Sequence, residues 1–290
     1  MATRRNLIDA TDFMWRTARL LERRRFACLL LDGDRQAVVA ALRPYQNPDG
    51  GFGNALEPDL RAPVSQPIPT WTALCILDEA QAFDDPLVGR ACDYLLTIST
   101  AEGGVPFALP SVREYPRAPW WETEDQPSAS LNPTAAIAAL LHKHHVEHPW
   151  LAAATDYCWR ALDALEETSA YEMRAVLPFL DFAPDRQRSE RVFERVGPKI
   201  LEQKLVALNP TAQEDAHSPL TFAPTPDSLA RSLFSDALIE AHLDALASAQ
   251  QEDGGWTINW LAWNPAAALE WRGVVTIDAL ITLRAYGRQL

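Results

Sequence analysis

Apolar residues along this chain recur three and four positions apart almost everywhere, the spacing that lays one apolar stripe down an α-helix. Leu87, Ala91, Tyr94, Leu95 and Ile98 form one such stripe, and Met14, Ala18 and Leu21 another. Similar stripes run through Trp71–Leu77, Ile137–Leu141, Leu151–Leu165, Met173–Leu180, Val192–Leu205, Leu238–Ala249 and Ile277–Leu283. Turns marked by Pro and Gly separate them, which predicts about eleven or twelve helices of roughly 10–20 residues and no alternating strand. The fold class expected is all-α.

The turns repeat. Gln46-Asn47-Pro48-Asp49-Gly50-Gly51-Phe52-Gly53 returns as Gln250-Gln251-Glu252-Asp253-Gly254-Gly255-Trp256, and Ala101-Glu102-Gly103-Gly104-Val105-Pro106-Phe107 is a worn copy between them. A period of about 50 residues in an all-helical chain means helix pairs stacked side by side. A second repeated element, Ile68-Pro69-Thr70, Asn132-Pro133-Thr134-Ala135, Asn209-Pro210-Thr211-Ala212 and more loosely Val275-Thr276, reads as the opening of the helix after each turn. Asn can cap free N–H groups there while Pro takes the first helical position. In the turns themselves the glycines permit positive φ, Asp49 and Asp253 can bond backbone N–H groups, and the following aromatic packs back on the helix pair.

The Q-x-x-D-G-G-[FW] turns resemble the QW-type repeats of squalene-hopene cyclases and other class II terpene cyclases, shared in weaker form by protein prenyltransferase β subunits. The resemblance runs from about Val38 to Ala285. It implies an α/α toroid of about six helix pairs in two concentric rings around a central aromatic cavity. It also implies binding of a hydrophobic, isoprenoid-type small molecule, with cyclisation or isomerisation by acid catalysis. The family's D-x-D-D-T-A acid stretch matches Ser130-Leu131-Asn132-Pro133-Thr134-Ala135, where Thr-Ala is kept but Ser, Asn and Pro replace the acids. An amide at Asn132 cannot supply the proton, so the acid is expected elsewhere.

Composition adds few restrictions on the fold and several on partners. The 290 residues show no linker or composition break, so a single domain over 1–290 is expected. A net charge of -13 argues against tracking nucleic-acid phosphates. No run approaches the 18 or so apolar residues of a membrane span, and Met1 to Asp12 is not followed by the apolar run of a secretory signal, so a cytoplasmic protein is expected. Cys28, Cys75, Cys92 and Cys158 are far apart and are expected as reduced thiols. The His144/His148 pair at the end of a helix is read as complementing the helix dipole rather than as a metal grip. Neither metal nor cofactor is expected, and the oligomeric state is left open.

Four clusters offer chemistry. The Pro-ordered loop after Phe52 carries Glu57, Asp59 and Arg61 just ahead of a helix start, where one carboxylate could act as an acid or an Asp–Arg pair could brace the loop. Trp120 and Trp121 follow Arg117-Ala118-Pro119 and either plug the core or present a π surface to a ligand. Glu214, Asp215 and His217 could form an acid–base group or a solvated helix end. Trp256, Trp260 and Trp263 crowd one loop near Trp271 and suit either packing or an aromatic wall. The expected catalytic residues are Glu57, Asp59 and Asp215. The expected substrate-binding residues are Arg61, Trp120, Trp121, Asn132, Glu214, His217, Trp256, Trp260 and Trp263. A carbohydrate-active toroid hydrolase or lyase, and a non-catalytic binding protein on the same fold, are the alternatives.

Overall fold

In the computed structural model, which describes residues 5–212 and 217–290, thirteen α-helices carry the fold, and the described residues form isolated bridges but no strand. In chain order they are α1 (Arg5–Thr17), α2 (Leu20–Leu30), α3 (Arg35–Leu42), α4 (Pro67–Glu79), α5 (Pro86–Thr97), α6 (Leu131–Lys143), α7 (Pro149–Asp163), α8 (Ala170–Phe182), α9 (Arg186–Val196), α10 (Lys199–Glu202), α11 (Pro219–Phe222), α12 (Asp236–Ser248) and α13 (Pro265–Ala285). Backbone proximity divides the chain into two units, Leu42–Gln203 and Met1–Ala41 with Lys204–Leu290.

Within the unit Leu42–Gln203 the helices are of two kinds. Helices α4, α6 and α8 are buried around most of their circumference. In α6 the buried set is Leu131, Pro133, Thr134, the four alanines Ala135, Ala136, Ala138 and Ala139, Ile137 and Leu141. A helix apolar all round belongs inside, and the alanines let α8 approach closely, the tightest helix pairing in the unit. Helices α5, α7 and α9 bury one face. In α5 that face is Leu87, Val88, Ala91, Cys92, Tyr94 and Leu95, the stripe read from the sequence. Local chemistry fixes where these helices begin. Asp85 accepts the Leu87 N–H ahead of Pro86, and Ser169 accepts the Glu172 N–H.

In the other unit α13 packs on α1, α2 and α12. Asn264 caps α13 at the Ala267 N–H, and Ser235 caps α12 at the Leu238 N–H.

Several boundaries differ from those the stripes predict. The Met14, Ala18, Leu21 stripe crosses a break, because Arg19 is extended and the Arg23 guanidinium takes the Ala18 carbonyl at 2.8 Å, ending α1. The Val192–Leu205 stripe splits at Gly197-Pro198, since Pro has no N–H to continue α9. Asn209-Pro210-Thr211 opens no helix. The Asn209 carboxamide oxygen accepts both the Thr211 N–H and its hydroxyl, a local turn that competes with helix. Val275-Thr276 lies in the middle of α13 and starts no helix, whereas Asn132-Pro133-Thr134 does open α6: Asn132 has extended φ and ψ, and the regular turns run on from Pro133. His144 and His148 do not share a helix. His144 follows the end of α6 and pairs with Asp78 at 2.6 Å, whereas the His148 Nδ1 caps α7 by accepting the Trp150 N–H.

Candidate functional site

The repeated turns set the frame for everything near them. Gly50, Gly103 and Gly254 have φ of 91°, 95° and 93°, a region closed to most side chains. A Cβ at these positions would lie 2.2 Å from the Arg90 carbonyl oxygen on α5, 2.7 Å from that of Ala153 on α7, and 2.0 Å from that of Asp9 on α1. The second glycine of each pair lies under a ring four residues further along the same helix: Gly51 under Tyr94, Gly104 under Tyr157, Gly255 under Phe13. Asp49 and Asp253 accept the N–H of Gly51 and Gly255. The Gln46 and Gln250 side chains close the turns by donating to the Gly50 and Gly254 carbonyls at 2.9 and 2.8 Å. The residue after each pair then donates its N–H to a buried threonine: Phe52 to Thr70, Val105 to Thr134, Trp256 to Thr276. The repeated Thr is thus an acceptor that ties turn to helix. Burial and the Asp49 charge push the Tyr94 hydroxyl pKa far up, so this ring works as a packed hydrophobe.

On this frame, in the unit Leu42–Gln203, the loop carrying the carboxylates meets the loop carrying the paired tryptophans. The Ala118 N–H donates to the Asp59 carbonyl at 2.9 Å, the Arg61 N–H to the Pro116 carbonyl at 3.0 Å, and Leu60 bridges Arg117 in antiparallel fashion. Glu57 and Asp59 are both buried, an unusual place for carboxylates, and Arg61 is half-buried beside them in sequence. Trp121 is 2% exposed and Trp120 is 47% exposed, so the two indoles have opposite environments. The Trp121 ring lies 5.2 Å from that of Phe107, and its N–H is buried with no hydrogen-bond partner. Asn132 is half-buried, and its side-chain oxygen is likewise buried and unbonded.

Two features hold the tryptophan loop. Arg117 donates to the Trp121 carbonyl at 3.2 Å and to the Arg113 carbonyl at 3.1 Å. At the other end Gln66, fully buried just before α4, accepts the Leu109 N–H and donates to the Ser111 hydroxyl, both at 2.8 Å. Gln66 went unnoticed in the sequence. Its signal is a long amide directly before the first proline of a helix, in a loop where small polar residues would be cheaper. The acids Glu122, Glu124 and Asp125 are exposed.

In the other unit Trp256 is buried, with its indole N–H on the Leu246 carbonyl at 2.8 Å and its own carbonyl taken by Arg272. Trp260 meets Trp271 edge to face at 5.4 Å, and Trp263 is half-buried with an unbonded N–H. An open depression of about 520 Å³ beside this turn is lined by Gln251, Glu252, Asp253, Thr257 and Arg272. The Arg272 guanidinium grips Asp253 at 2.7 and 2.8 Å, and this hydrogen bonding holds the Asp253 carboxyl below its usual range. His217 is half-buried, bridges Val206 and lies edge to face with Phe222. Glu214 and Asp215 lie outside the described residues.

Cys92 and Cys158 are buried, and burial pushes the Cys92 thiol up to about 12, so it packs as a small hydrophobe. No cluster of three metal-ligating side chains occurs among the described residues. No helix among them is long and apolar enough to cross a membrane.

Comparison with known proteins follows the same lines. No protein-family model matches the chain. The squalene–hopene cyclase of Bradyrhizobium diazoefficiens is 31% identical over 120 residues, which is 41% of this chain and 17% of that enzyme, so the match spans under a fifth of the cyclase's length. Among solved structures, a protein from Actinoplanes superposes with a TM-score of 0.59 at 16% identity, covering 96% of this chain and 98% of that one. The type II terpene cyclase MstE from Scytonema gives a TM-score of 0.50 at 14% identity over 98% of this chain and 88% of that one. A variant of MstE in complex with its substrate, geranylgeranyl dihydroxybenzoate, gives 0.51 at 14% over 97% and 88%. These likenesses assign the fold: an all-α protein of the terpenoid cyclase-like α/α-toroid class.

Proposed function

We propose that this chain binds an isoprenoid-type small molecule, with Glu57 or Asp59 as an acid able to protonate it for cyclisation or isomerisation. The observation that carries the reading is the burial of both carboxylates in a loop laced to the Trp120-Trp121 loop. A carboxyl group held in such a loop is a candidate proton donor, and indole faces suit a cationic intermediate. The loss of acids at Ser130, Asn132 and Pro133 argues for a donor elsewhere, and these two are the buried carboxylates of the unit that holds that stretch. Further support comes from the fold shared with MstE, a terpene cyclase with a geranylgeranyl-bearing substrate. The chain would act as a single α/α-toroid domain in the cytosol.

The test is incubation with a panel of isoprenyl diphosphates, isoprenyl ethers and oligosaccharides, scored by mass change and by thermal stabilisation. Stabilisation by the isoprenoids alone supports the proposal. Response to oligosaccharides alone would replace it with a carbohydrate-active protein.

A further inference from the structure

Residues 254–269, from the last glycine pair into the second turn of α13, carry no charged side chain. Two other stretches of that length, 62–77 and 126–141, are as free of Asp, Glu, Lys and Arg, but they run into α4 and α6, whose apolar side chains are mostly buried. At 254–269 the apolar side chains come to the surface instead. Leu261 is 89% exposed, the most exposed large apolar side chain among the described residues, and Leu269 is 53% exposed. Pro265 and Ala266 are exposed between them, and Ile258, Trp260 and Trp263 are half-buried. The segment is also held in place. The indole N–H of Trp256 fixes one end on the Leu246 carbonyl, Asn264 caps α13 at the Ala267 N–H, and Trp260 rests edge to face on Trp271. An apolar tip held rigidly in water marks a surface that something else covers.

We infer that 257–269 is a membrane-docking segment, which seats Leu261 and Leu269 in the interface of a zwitterionic bilayer. Three properties favour lipid over a second copy or another protein. A protruding tip needs a matching pocket in a protein partner, whereas lipid is fluid and closes around it. Leucine flanked by tryptophan is the composition that partitions to the boundary between headgroups and acyl chains. The open depression next to the segment, which Thr257 shares, carries both signs of charge in Glu252, Asp253 and Arg272, as do zwitterionic headgroups. The net charge of -13 repels an anionic surface and so sets the lipid class. The inference is independent of the ligand and the acid proposed above.

Flotation with phosphatidylcholine vesicles, plain or doped with phosphatidylglycerol, tests it on the full chain. The wild type should float with the plain vesicles and partition more weakly onto the doped ones. The double variant Leu261→Asp, Leu269→Asp should lose at least about tenfold in partition coefficient. Both positions are exposed, so its melting temperature should match the wild type; if the double variant fails to fold, Leu261→Asp alone decides. Brominated acyl chains should quench the tryptophan fluorescence of the wild type and spare that of Leu261→Asp. A wild type that stays off phosphatidylcholine, or a variant that floats as well as the wild type, overturns the inference. So does a dimer in sedimentation that Leu261→Asp dissociates while neither protein floats, which would make the segment a contact between copies. Stronger partitioning onto the doped vesicles overturns the zwitterionic assignment.

Discussion

The Thr276 hydroxyl accepts the backbone N–H of Trp256 at 2.9 Å, the bond that Thr70 gives Phe52 and Thr134 gives Val105. All three threonines are fully buried, so each bond is made out of water's reach. Replacing Thr276 by Val keeps the shape and strands the N–H, which should cost about 1–3 kcal/mol. Thr276→Ser retains the acceptor and should cost less than about 1 kcal/mol. Denaturant melts of the two variants side by side check the difference. Equal losses would show that the methyl, not the hydroxyl, matters.

Gly254→Ala should be among the most damaging small substitutions in the chain. It forces a Cβ to 2.0 Å from the Asp9 carbonyl oxygen at a φ of 93°, a clash of backbone on backbone that should exceed about 2 kcal/mol. Gly89 on the exposed face of α5 meets nothing within 4 Å, so Gly89→Ala should stabilise by about 0.5–1 kcal/mol. Melting temperatures that move in the same direction for both would contradict this account.

Burial lowers the pKa of His142 and of His242, the latter partly offset by its bond to the Leu208 carbonyl. Each is harder to protonate folded than unfolded, so the unfolded chain binds more protons once the pH drops below the ordinary value of 6.5. The stability they contribute is therefore fully present above that value and is lost as pH falls through the lowered folded values. Stability should decline between about pH 7 and about pH 5, and the double variant His142→Gln, His242→Gln should flatten that slope. A wild-type profile flat across this window is the result that counts against it.

Gln66→Leu should loosen one segment without melting the rest. It removes the acceptor of the Leu109 N–H and the donor to Ser111, so amide exchange over 109–118 should quicken about tenfold or more. The Gly103 amide, bonded to the Thr100 carbonyl, should keep its protection. Uniform acceleration at both places would mean global destabilisation instead.

Glu57→Gln and Asp59→Asn separate a working acid from a brace. If one of them donates the proton, its amide variant should lose about 10²–10⁴-fold in turnover on an isoprenoid substrate, with stability within about 1 kcal/mol of wild type. Should both variants unfold and leave ligand binding per folded molecule unchanged, the carboxylates hold the loop and the acid lies elsewhere.

Much of this frame could be read in advance. The glycine turns, the Asp that bonds into them and the one-sided stripe of α5 are local, so spacing alone reports them. What each turn packs against was invisible, because Tyr94, Tyr157 and Phe13 lie far from their glycine partners in sequence and nothing local marks them. The Asn-Pro-Thr repeat was legible as a repeat, and as a helix start at Pro69-Thr70 and Pro133-Thr134 but not at Asn209 or Thr276. Its threonine acts through a tertiary bond, and at Asn209 the same letters close a turn on themselves. In the candidate site, the two loops each stood out in the sequence, one by its prolines and carboxylates and the other by its paired tryptophans, while their meeting is a tertiary fact. The opposite exposures of Trp120 and Trp121, and the clamp of Gln66, depend on packing that no periodicity encodes.

The residue after each glycine pair is bonded to its threonine 18, 29 or 20 positions further on. The separation varies while the bond does not, and lengthening a closed loop costs little free energy. Each turn and its threonine therefore work as a pair of fixed sockets, and the segment strung between them is a replaceable insert. New recognition chemistry can be spliced there, residue by residue or whole, without renegotiating the helices that carry it.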